Sequence, residues 1–85
     1  MTTATAYALY LSRLAPNSQR SIASQMRSIA QLMDWPDATI GKQLSSINYQ
    51  QAMQIRALLI HEQWSARSIN RAMTSIKSIV KVAAL

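Results

Sequence analysis

The chain has no cysteine, one glycine, one histidine and three acidic residues, Asp34, Asp37 and Glu62. Without cysteine there is no disulfide scaffold and no thiolate metal site, a composition compatible with a reducing cytoplasm. The lone His61 has no second histidine or cysteine to complete a metal set, so no metal and no other cofactor is expected. The shortage of acid leaves nine Lys and Arg largely unopposed, for a net charge of +6. Such a surplus points to a polyanion, either nucleic acid or an acidic membrane surface. Long apolar runs are also missing. Nothing approaches the roughly 20 residues of a membrane span, and the opening MTTATAYALYLSRLAP lacks the basic start of a signal peptide.

What is present is a helical periodicity. The chain has 85 residues, 49% of them apolar, which suits one small domain with a modest core rather than disorder. Tyr7, Tyr10, Leu11 and Leu14 repeat at i, i+3, i+4 and i+7, and Pro16 ends this first helix near Leu14. A second helix follows, capped by Asn17 or Ser18, with Ile22, Met26, Ile29, Ala30 and Met33 on its buried side and Arg20, Ser24, Arg27 and Gln31 opposite. Asp34 to Ser46, with Pro36 and Gly41, reads as a connector with room for one helical turn. Asn48 caps a third helix from Tyr49 to Gln63. Its apolar residues spread too widely for a surface helix, so it is expected to be central and most buried. No hairpin signal supports strands.

The last helix, capped by Ser65, is the most sharply divided. Ile69, Ala72, Met73, Ile76, Ile79, Val80 and Ala83 share an apolar arc, while Arg67, Arg71, Thr74, Ser78 and Lys81 line the other side. Arg67 and Arg71 fall in its first turns, against the preference of the helix dipole for negative charge there, a cost that a bound phosphate would offset. A polar helix face is usually just solvated. Ordinary solvated helices, however, mix charges to form i, i+4 pairs, whereas the second and last helices hold four Arg and two Lys and no acid. Their neutral polar residues are Ser, Thr, Asn and Gln, which hydrogen-bond to phosphates and base edges. A membrane-surface helix fits less well, because Trp64 is the one aromatic of the last segment and its apolar arc is rich in small residues.

Catalytic chemistry finds little support. His61 and Glu62 are adjacent on a helix and do not face each other. Asp34 and Asp37 flank Trp35 and Pro36, where turn and cap chemistry accounts for them. Ser18, Ser21, Ser24 and Ser28 have no histidine patterned to serve as base. Tyr7 and Tyr10 lie on the apolar stripe and read as core. The chain alone is therefore expected neither to nick nor to religate DNA.

The stretch PNSQRSIASQMRSI from Pro16 to Ile29, followed by WSARSINRAMTSI from Trp64 to Ile76, resembles the N-terminal core-binding domain of the tyrosine recombinase, or phage integrase, family. The likeness covers essentially the whole chain. The family opens its second helix with a capped S-P-x-T and an aromatic four residues later, and its fourth with L-S-x-x-T-I-x-R. Here Ser18 and Ser68 stand for the threonines, Ile22 for the tyrosine and Trp64 for the leucine.

The resemblance implies an all-α fold, a compact four-helix SAM-like orthogonal bundle spanning residues 1–85 that forms half of a clamp on duplex DNA. Its second and fourth helices would lie against the major groove. The DNA-facing set carried over is Asn17, Ser18, Arg20, Ser21, Ser24 and Arg27, with Arg67, Ser68, Arg71, Thr74 and Ser75. The family's cleaving tyrosine and arginine-rich pocket belong to a catalytic domain expected after Leu85, where the chain stops inside a helix with no capping glycine. The expected protein is a site-specific recombinase of a mobile element, acting on DNA in a prokaryotic or phage cytoplasm, oligomeric there although the isolated domain is monomeric. Two other readings stay open: a helical interaction domain for an acidic protein, and a self-contained small DNA-binding regulator.

Overall fold

The computed structural model describes residues 6–84, and among them every regular element is helical. The expectations for the first five residues and for the chain end at Leu85 lie outside the described residues. Helix α1 (Ala6–Ser12) is followed by a turn, and Pro16 opens α2 (Pro16–Leu32). A 3-10 turn at Asp37–Thr39 leads directly into α3 (Ile40–Ser45). Helices α4 (Tyr49–His61) and α5 (Ala66–Ala83) complete the chain. The connector expected over Asp34 to Ser46 therefore holds a full short helix. Ile40 and Leu44, one turn apart, are both buried by it, a spacing too brief to stand out from a Pro- and Gly-bearing segment.

The caps divide into those written in local chemistry and those that are not. The Ser65 hydroxyl accepts the Ser68 amide at 3.1 Å and starts α5 as expected. Asn48 accepts from the Gln51 amide at 2.8 Å, and the Gln51 side chain accepts the Asn48 amide at 3.1 Å, a reciprocal capping box. At α2 the expectation of an Asn17 or Ser18 cap is corrected. The N-cap is Ala15, without a side-chain hydrogen bond, and Pro16 takes the first helical position. Proline fits there because its missing amide would have had no intrahelical acceptor.

Two helices end in the same way without glycine. Asp34 (φ 59°) follows α2 and Gln63 (φ 63°) follows α4, both in the left-handed region. Around the first, the Trp35 amide donates to the Ala30 carbonyl at 2.8 Å and Asp34 to Gln31 at 3.3 Å. Around the second, Trp64 donates to Leu59 at 3.1 Å and Gln63 to Ile60 at 3.0 Å. Each is a Schellman closure with tryptophan at its last position, and both indoles pack against the core. The closing tryptophan holds each turn where glycine would ordinarily be used. A left-handed residue with a Cβ costs about 1–2 kcal/mol, and glycine gives back roughly 0.5–1 kcal/mol through unfolded-state freedom. Gln63→Gly should thus stabilise the domain by about 0.5–1 kcal/mol, raising its melting temperature by about 2–8 °C in a thermal scan. An unchanged or lower value would mean that the Gln63 side chain contributes contacts beyond the turn.

Met26, Ile29, Leu44, Ile55, Leu59, Ile76 and Ile79 are fully buried at the centre. Both α2 and α5 pack against every other α-helix, and α5 does so most extensively and buries Ile69, Ala72, Ser75, Ile76 and Ile79. This corrects the expectation that the Tyr49 helix is central. In α4 only Ile55 and Leu59 are buried, while Met53 and Ile60 are exposed. Its broad apolar arc is wider than the face its neighbours cover. The Oε1 of Gln25 on α2 is buried with no hydrogen-bond partner among the described residues, a polar cost inside the bundle. No helix among the described residues is long and apolar enough to cross a membrane.

Candidate nucleic-acid interface

Helix α5 presents its cations from a face set by period. Arg67, Arg71, Thr74 and Lys81 are exposed, and Ile69, Ala72, Ile76 and Ile79 are buried behind them. Met73 and Val80 are half-buried, and Ala83 is exposed near the helix end, where no neighbour covers the expected arc. All three acids lie outside α2 and α5: Asp34 and Asp37 in the connection after α2, and Glu62 at the C-cap of α4.

The start of α2 and the middle of α5 enclose a groove of about 360 Å³, with Ser18 and Ile22 on one wall and Asn70, Arg71, Thr74 and Ser75 on the other. Tyr10 and Leu14 close its end. Ser18, Arg71, Thr74 and Ser75 from the expected set are thus brought together. Ser75 is 2% exposed, so its place in a DNA-facing set is corrected: it is part of the floor. It sits three residues after Ala72 and four before Ile79, both buried, and shares their row on the helix.

The α2 set does not converge on this groove. Ser18 and Arg27 are nine residues apart, about 900° or half a turn out of phase at 3.6 residues per turn. Arg27 lines a separate cleft of about 420 Å³ with Tyr7, Asp37 and Lys42. Burial pushes the Tyr7 hydroxyl above its ordinary pKa, and the nearby Arg27 cation partly opposes this. Arg20 shares the Arg27 side, seven residues before it. Asn17, Ser21, Ser24 and Arg67 are exposed. Ser68 is engaged in the α5 cap, where its hydroxyl accepts from Ser65 at 3.0 Å. The Ser28 hydroxyl donates to the Ser24 carbonyl at 3.1 Å, so it serves the backbone of α2.

Two groove residues escaped the sequence reading. Asn70 belongs to the polar side of α5, four residues before Thr74, and its i, i+4 relation to a residue already selected could have found it. Tyr10 was assigned to the core and does pack against it, yet it also faces the groove, as an amphipathic ring can. Among the described residues no three His, Cys, Asp or Glu side chains gather as a metal site. His61 is exposed in the last turn of α4. The α2–α5 groove offers the Arg71 cation with hydroxyls and an amide and is lined by no acid, which suits an anionic ligand, whereas the Arg27 cleft also carries Asp37.

No family model matches this chain, and no curated protein or solved structure matches it significantly.

Proposed function

We propose that this chain is a DNA-binding module of a site-specific tyrosine recombinase, a SAM-like helical bundle that lays α2 and α5 against duplex DNA. The observation that carries the reading is the acid-free face of α5, on which exposed Arg71 and Thr74 stand across a groove from Ser18 of α2. Arg67 and Arg71 would neutralise phosphates. Asn70 and Thr74 would hydrogen-bond to backbone or base edges, and Ser18, Asn17 and Ser21 would approach from the α2 side. On this reading Arg20, Ser24 and Arg27 reach a different stretch of backbone or none. Strand cutting and rejoining would belong to a catalytic domain outside this chain, a reading supported by the lack, among the described residues, of a nucleophile paired with a base and a phosphate clamp. The site of action would be DNA in a prokaryotic or phage cell.

Salt dependence tests the reading. Binding to duplex DNA, followed by fluorescence anisotropy, should have a dissociation constant of roughly 10⁻⁴ to 10⁻⁶ M near physiological salt. With about four to six phosphates neutralised, log K against log salt should slope near −4 to −5. A flat dependence, or no binding at low salt, would remove the basis for DNA recognition.

A further inference from the structure

The outermost face of α4 carries the exposed Gln50, Gln54 and His61, but one flank of the helix is apolar where a solvated surface would be polar. Tyr49 is 77% exposed, Met53 43% and Ile60 55%, and their i, i+4 and i+11 spacing puts them on one side of the helix. Beside this row, α4 and α5 enclose a trough made of two joined depressions. The first, about 410 Å³, has Met53 and Met73 in its walls and Arg56 and Lys77 at its rim. The second, about 210 Å³, is floored by Ile47, Ile76 and Val80. Tyr49, Ala52 and Lys77 line both, so the depressions are continuous.

Along α5 the trough runs from Asn70 to Val80, ten residues and therefore about 15 Å, or three helical turns. Exposed apolar surface rimmed by polar groups marks a docking site. Methionine in the wall supplies an adaptable lining for it. The rim decides the occupant. Arg56 and Lys77 are its charged members and no acid lines either depression. A second copy of this chain also carries a net charge of +6, and a symmetric pairing through this trough would set Arg56 and Lys77 against the same cations, which disfavours self-association by like-charge contact. A duplex backbone would satisfy the cations and leave the apolar floor without a partner. From this we infer that the α4–α5 trough is a docking site for an acidic amphipathic helix of a partner protein, with its apolar side chains on the Met53, Ala52 and Val80 floor and its carboxylates on Arg56 and Lys77.

Arg67 and Arg71 lie outside the trough, so reversing the charges of Arg56 and Lys77 leaves the arginines assigned to DNA in place. Asn70 and Thr74 border both grooves and form the ridge between them.

A synthetic acidic helix of about three turns, with leucine at i, i+4 and i+7 and glutamate on its flanks, serves as the probe. Titrated into the protein, it should bind measurably and shift the methyl resonances of Met53 and Met73. The double variant Arg56→Glu and Lys77→Glu, at exposed positions, should keep its helical circular dichroism and lose at least about tenfold in affinity, the scale of paired interface charges. A version of the probe with lysine in place of glutamate should recover binding to that variant. Tyr49→Ser should weaken the parent probe without changing stability. The proposal is overturned if the acidic probe does not bind, if it binds the charge-reversed variant equally well, or if the Met53 and Met73 methyls stay unmoved. Concentration-dependent dimerisation abolished by Tyr49→Ser would overturn it in favour of a self-interface, and duplex DNA that shifts the Met53 methyl on the α4 side and displaces the acidic probe would assign the trough to nucleic acid.

Discussion

Ile76→Ala will lower the melting temperature by about 10–30 °C and leave part of the population unfolded at room temperature. Ile76 is fully buried on α5, the helix that packs most extensively against the others. Truncating a buried isoleucine costs about 2–5 kcal/mol, the lost transfer energy plus the cavity left behind. A domain of this size has in reserve only about 0.05–0.15 kcal/mol per residue, and each kcal/mol moves the midpoint by about 4–8 °C. The cavity would open inside the one buried cluster that Ile76 shares with the other fully buried residues, where close packing limits relaxation. The folded fraction should retain its affinity for DNA, because no residue of the exposed α5 row has changed. Differential scanning calorimetry and binding at matched folded concentration separate the two effects. A shift of less than a few degrees would mean that the centre of the bundle is elsewhere.

The opposite pattern is expected on the other face of the same helix. Arg67→Ala with Arg71→Ala should reduce duplex binding by about 100-fold at 50 mM salt, since each phosphate contact contributes a slope of about 0.9 in log salt, or roughly tenfold at that concentration. The slope itself should become shallower by about two. Stability should hold within about 0.5 kcal/mol, as exposed positions generally allow. Any change within that range should be a gain, because the cations sit toward the positive end of the helix dipole. Equal affinity for the parent and the double variant would make this face merely solvated. Destabilisation by several kcal/mol would make it structural.

The periodicity of α5 told its two faces apart before any coordinates, because burial on one helix follows its own i, i+3 and i+4 rows. The Ser65 and Asn48 caps were legible for a related reason: a side-chain oxygen three residues from an unpaired amide is a local fact. The half-turn offset between Ser18 and Arg27 could also be counted from their spacing. Which of those two sides meets α5 could not.

By itself the sequence determined an all-helical domain, the polarity of α5, the absence of acid from α2 and α5, and where two of its helices begin. These depend on composition and on contacts within a few residues. Only the tertiary structure decided that α5, not α4, is the central helix, that Ser75 is floor, that Asp34 and Gln63 adopt left-handed turns closed by tryptophan, and that α4 keeps an apolar row in solvent. A helix's own pattern states how much apolar surface it has. Which neighbour covers that surface depends on how the helices cross, and on α4 the neighbours cover less than the pattern offers.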